Sequence, residues 1–156
     1  MDTPERNRLS DEVHVRITAD DDLIPARAEA RAMATRLGFT RTDATLIATA
    51  VSEIARNIVV HVGSGEIVMK SLADGVRCGI EVVAMDKGPG IRDLASVLAH
   101  GYASRGGLGL GLPGARRLMD EFTIESDVDR GTRVNMKKWR VRDELERLRD
   151  RRLEAS

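Results

Sequence analysis

SRGGLGLGLPGARR, Ser104 to Arg117, contains GLGLPG at Gly109–Gly114, the G-x-G-x-x-G spacing by which dinucleotide-binding folds seat a pyrophosphate. What precedes it decides the fold. The dinucleotide fingerprint needs a strand running straight into the first glycine, so that a tight turn delivers a helix N-terminus to the phosphates. Ahead of Gly109 stand Ala103, Ser104, Arg105, Gly106, Gly107 and Leu108, which is no strand. A P-loop fails too, because no G-K-[ST] follows the glycines. Backbone N–H groups of a glycine loop at a helix N-terminus can still hold phosphate, by the same physics, in another architecture.

Outward from the loop, Pro113 suits the first turn of a helix over roughly 113–120. FTIES (122–126) and TRVNMKKW (132–139) flank VDRG and read as a hairpin. On the other side, GEIVMKSL (65–72) and VRCGIEVVAM (76–85) form a second hairpin around Asp74-Gly75, and DKGPGI (86–91) is a loop before a short helix over 93–100. EVHVRIT (12–18) alternates apolar and polar residues as a half-buried strand does. Asp20 to Asp22 open a helix running to about Leu37, which Gly38 ends. A second helix over about 42–62 carries Leu46, Ile47, Ala50, Val51, Ile54 and Ile58 as one stripe. This order predicts an α/β (α+β) two-layer sandwich, with a mixed, mainly antiparallel sheet covered by helices on one face.

The chain has 156 residues, enough for one domain, with 25 basic and 25 acidic side chains. Zero formal charge gives no argument for nucleic acid or a membrane surface. Residues 137–156 hold eight basic and five acidic residues, a mildly basic tail in which Val141, Leu145 and Leu148 are spaced for a solvated terminal helix lying on the body. The single cysteine, Cys78, makes no disulfide, and the charged start MDTPERNRLSDE is no signal peptide. A cytoplasmic setting is expected. His14 and His100 have no ligand cluster nearby in sequence, so no zinc site is expected.

Two polar residues interrupt the stripe of the second helix. At about 100° per residue, Asn57 falls within the apolar arc and Glu53 at its edge, one turn apart. Buried without partners, such groups cost on the order of 1–3 kcal/mol each. Capping of strands or a structural water would satisfy them; so would chemistry, since an amide oxygen is a hard ligand for Mg²⁺ and a carboxylate takes a proton from a hydroxyl. Asp86 stands at a strand terminus where Gly88 and Gly90 permit close approach of a ligand.

Taken in order, E-x-x-x-N on a helix (Glu53, Asn57), D-x-G-x-G after a strand (Asp86, Gly88, Gly90) and G-x-G before a helix (Gly109, Gly111) resemble the GHKL ATPases with their Bergerat fold. SEIARNI (52–58), DKGPGI (86–91), GGLGLGLPG (106–114) and RLMDEF (117–122) look most like the switch serine/threonine kinases of the stressosome within that family. The resemblance covers about residues 12–139 and places a kinase domain at 12–140, between an N-terminal tail (1–11) and a charged C-terminal helix (141–156).

What the resemblance implies is specific. Glu53 would be the general base, Asn57 would hold Mg²⁺ against ATP, and Asp86, assisted by Thr132, would accept a hydrogen bond from the adenine amine. Gly107, Gly109 and Gly111 would form the lid on the phosphates. Arg105 either reaches the γ-phosphate or is a solvated charge; His61, one turn past Asn57, either contacts phosphate or packs. The implied partners are a STAS-domain antagonist protein as substrate and, on release, a PPM-type phosphatase; whether the chain forms a homodimer stays open. The alternative is an anti-sigma factor using the same ATP site to sequester a sigma factor. Classical protein-kinase signatures are missing, since no H-R-D is present and Lys-Gly follows Asp86. No phosphoacceptor helix pair or transducer domain is expected around the domain.

Overall fold

The computed structural model describes residues 12–88 and 111–155. β1 (Glu12–Ile17) leads into a 3₁₀ turn at Asp20–Asp22 and then α1 (Leu23–Arg36). The acidic run closes that entry. Asp22 Oδ2 accepts from the backbone N–H of Thr18 at 2.7 Å, the Thr18 hydroxyl at 3.0 Å and the Ala19 N–H at 3.0 Å, which hold its carboxyl below the usual range. α1 buries Ala26, Ala30, Met33 and Ala34 and stops at the expected glycine, Gly38.

α2 (Arg41–His61) begins where the Thr40 hydroxyl accepts the Asp43 N–H at 3.1 Å. Its stripe is built as expected from Ile47, Ala50, Val51, Ile54 and Ile58, all buried. β2 (Gly65–Asp74) and β3 (Arg77–Asp86) form the first hairpin. α3 (Gly111–Leu118), β4 (Glu121–Asp127) and β5 (Gly131–Val141) follow the glycine-rich stretch, and α4 (Glu144–Ala155) ends the chain. The expected short helix over 93–100 lies outside the described residues.

The strands run β1-β2-β3-β5-β4, and every ladder among the described strands is antiparallel, so the sheet is antiparallel throughout rather than mixed. Two hairpins meet at β3 and β5. Period-2 alternation sends Ile17, Ile67, Met69, Ile80, Val82, Ala84, Val134 and Met136 into one core with the stripes of α1, α2 and α3. Helices cover that face as expected. β1 and β4 at the sheet edges alternate in burial, whereas the inner strands β2 and β3 bury the continuous runs Ile67–Met69 and Val82–Ala84.

The C-terminal helix departs from the sequence reading. Val141 belongs to β5, and Leu145 and Leu148 face solvent at 68% and 44% exposure. α4 is held through polar groups instead: Arg140 pairs with Glu146 at 2.6 Å and donates from Nε to the Leu37 carbonyl at 2.7 Å. The ion pair turns the acidic side of the helix inward, so the leucines turn outward. No helix among the described residues is long and apolar enough to cross a membrane.

Candidate functional site

α2 carries Glu53 and Asn57 toward the start of α3. Glu53 is the one buried charged side chain among the described residues, at 9% exposure, and its Oε2 accepts the Gly111 N–H at 3.0 Å. The contact spans 58 positions of sequence and ties α2 to the near end of α3. Asn57, one turn along, has a buried Nδ2 with no hydrogen-bond partner among the described residues. Its Oδ1 lies 4.0 Å from where a side chain on Gly111 would begin, so carboxylate and carboxamide share the first turn of α3. A helix start offers N–H groups and the positive end of its dipole, and an unpaired amide nitrogen beside it adds a donor. The neighbourhood suits an anionic ligand.

Asp86 ends β3 with its side chain on the helix-covered face, the parity it shares with Val82 and Ala84. Its Oδ1 accepts the Gly88 N–H at 2.9 Å and the Thr132 N–H at 3.3 Å. Thr132 lies opposite Asp86 in the β3–β5 ladder, and its hydroxyl meets that of Ser126 at 2.9 Å. Gly131 makes this approach feasible. It sits at φ +103°, and a Cβ there would overlap the Asp86 carbonyl oxygen, so only glycine fits. On Gly88 a Cβ would fall 2.6 Å from a Val62 methyl, so the backbone just past Asp86 lies directly on α2's end.

The structure therefore gathers the expected residues into two groups: Glu53, Asn57 and Gly111, and Asp86, Gly88 and Thr132. Gly90, Arg105, Gly107 and Gly109 lie outside the described residues. His61 is half-buried at the end of α2. Among the described residues no cluster of three or more His, Cys, Asp or Glu could hold a metal ion. Ser126 was missed in the sequence, although counting the second hairpin's register outward from its turn pairs it with Thr132. Gly65 was missed too; its Cβ would lie 2.6 Å from the Met85 carbonyl oxygen and 3.0 Å from a methyl of Ile58, so α2 packs directly on the backbone beside Asp86.

A one-sided antiparallel sheet, with a helix-borne Glu/Asn pair at one helix start and a strand-end aspartate opposite a threonine, defines a GHKL-type nucleotide-binding domain. Residues 15–138 match the histidine kinase-like ATPase domain model, and the chain belongs to that family. It is 43% identical over 131 residues to the serine/threonine-protein kinase RsbT of Bacillus subtilis (strain 168), a match covering 84% of this chain and 98% of that protein. It is also similar to anti-sigma F factors. The one from Clostridium novyi (strain NT) is 33% identical over 119 residues, covering 72% of this chain and 82% of the relative. That from Geobacillus stearothermophilus is 30% identical over 139 residues, covering 83% and 93%.

Proposed function

We propose that this chain is an ATP-dependent protein serine/threonine kinase of a partner-switching module, acting in the cytoplasm on a STAS-domain antagonist protein and, when released from it, activating a PPM-type phosphatase. The observation that carries the reading is the Glu53–Asn57 pair against the near end of α3, a buried carboxylate that accepts the Gly111 N–H beside a buried amide nitrogen with no partner among the described residues. The likeness to RsbT supports it over the anti-sigma alternative, because it is higher and spans nearly the whole relative.

The residues fit ATP with Mg²⁺. Asn57 offers a neutral hard oxygen, and its unpaired Nδ2 suits a phosphate oxygen; Mg²⁺ in such sites keeps several waters and is otherwise bound by phosphates. When bound, the ion supplies charge neutralisation on the triphosphate. Asp86, with one oxygen already held by two backbone N–H groups, keeps lone pairs for the adenine amine, and Thr132 assists at the base. Glu53 orients the acceptor serine or threonine hydroxyl and takes its proton as the oxygen bonds to the γ-phosphorus and the bond to ADP breaks. Gly107, Gly109 and Gly111 wrap the phosphates. Burial keeps Glu53 away from bulk water, so the proton goes to a positioned oxygen.

The deciding experiment incubates the purified chain with labelled ATP, Mg²⁺ and the STAS-domain protein encoded beside it. Label on a serine or threonine of that protein is expected. Absence of transfer together with tight capture of a sigma factor would move the chain to the anti-sigma reading.

A further inference from the structure

The face of the sheet turned away from the described helices holds a cavity of about 710 Å³, within the roughly 300–1,000 Å³ of small-molecule sites. Its floor is one cross-strand row, Arg16, Glu66, Met85, Arg133 and Glu125, paired in that order across all five strands. Each is the chain neighbour of a core-facing residue, so the row points away from the helices. The loops at the strand ends add Lys87, Arg130 and Asp127.

Charge in the cavity is unbalanced. Arg16, Lys87, Arg130 and Arg133 make no ion pair with a described residue, and Arg133 touches only the Met85 sulfur, at 4.0 Å. Of the four carboxylates lining the cavity, Asp86 turns its side chain to the helix-covered face, and Glu66 is already bound: its Oε1 lies 2.7 Å from Nδ1 of His14, whose Nε2 lies 2.6 Å from Glu12. An imidazole bonded to carboxylates through both nitrogens is the cation. Four positive groups thus face two unengaged carboxylates, Glu125 and Asp127. Three of the four are guanidiniums, whose planar forks match phosphate oxygens, and the half-buried Met85 offers an adaptable apolar contact beside them.

We propose that this cavity is a second ligand site, taking a small organic molecule that bears a phosphate group. The phosphate sits between Arg16, Arg130 and Arg133, and the organic body lies on Met85. Its rim includes Asp86 and Thr132 at their backbone side, so occupancy reaches the strand ends that the nucleotide base uses. The site itself stands on the open-face row; only that coupling rests on the kinase reading.

The test follows the Met85 methyl resonance, assigned with Met85→Leu, while inorganic phosphate or glycerol 3-phosphate is titrated into the full chain at constant ionic strength. Glycerol 3-phosphate is expected to give a saturable shift, tighter than inorganic phosphate, weakened about tenfold or more in Arg16→Gln/Arg133→Gln and kept in Asn57→Ala. Both arginines are exposed, so the double variant should melt like the parent; if it does not, Arg133→Gln alone carries the comparison. Equal binding of the two ligands reduces the site to a bare-anion contact and overturns the proposal. So does a shift that never saturates, one indifferent to the arginines, or one lost in Asn57→Ala. Each outcome is independent of whether phosphate is transferred to a protein.

Discussion

The strand-borne and helix-borne halves of the candidate site are finished to different degrees. Around Asp86 the protein supplies nearly everything: two N–H groups on one carboxylate oxygen, a Thr132–Ser126 hydroxyl pair and a glycine that lets β5 close on β3. Around Asn57 the described residues supply little: none pairs with the buried amide nitrogen, and Glu53 receives one N–H from them. On the proposed reading the two halves do different work. Rigid backbone dipoles suit recognition of a base whose shape never changes, whereas groups short of partners suit phosphates that arrive, react and leave.

The contrast can be broken most directly at Glu53. Glu53→Gln should leave nucleotide affinity within a few-fold while slowing phosphotransfer by roughly 10²–10⁴-fold, the usual worth of a positioned base. Unchanged turnover in a single-turnover assay would remove the base role. Next in size, Gly131→Ala should destabilise the fold by at least about 2 kcal/mol, because it combines a strained backbone with an overlap on Asp86. Thermal unfolding at the parent's temperature would mean that the Asp86 half is not rigid.

Asn57→Ala sharpens the comparison from the other side. It removes a buried donor that nothing satisfies, so unfolding should be unchanged or slightly harder, while Mg²⁺-dependent nucleotide binding weakens about tenfold. Calorimetry giving parental affinity would take the metal from Asn57. Asp86→Asn should impair discrimination of ATP from GTP and leave magnesium dependence alone, which competition binding would show. Mildest is His14→Gln, far from both halves. Hydrogen bonds to Glu66 and then Glu12 raise the His14 pKa above its ordinary 6.5. A raised folded pKa means that its stabilising effect is complete below about 6.5 and lost as pH rises through the folded value. The melting-temperature gap between parent and variant should therefore be larger at acidic than at alkaline pH; a gap constant with pH would show that His14 does not stabilise as the cation.

The helices and hairpins were legible because their signals are local. The α2 stripe, the Gly38 stop and the alternation of β1 each reside in a few consecutive residues, and spacing put Asn57 within the apolar arc and Glu53 at its edge, where Glu53 is buried and Asn57 half-buried. What escaped depends on elements meeting at a distance. Ser126 joins Thr132 only through hairpin register, and the Glu53–Gly111 contact joins two helices across 58 positions of sequence. Leu145 and Leu148 share a spacing on a helix expected to be solvated, and both face solvent, while Glu146 between them turns in to Arg140. Spacing says that residues share a face and is silent on which way that face looks.

The pairing of β3 with β5 has a kinetic meaning as well. Each hairpin closes on its own short turn, whereas the Asp86–Thr132 contact brings together residues 46 apart and joins the two hairpins. Closing so long a loop is entropically slow, so the join is expected to form after the turns do, along the line where the two hairpins meet. A molecule gripping Asp86 and Thr132 at once staples that line. Proteolysis through the separated hairpins should then slow in proportion to its concentration, turning a recognition contact into control over the chain's lifetime.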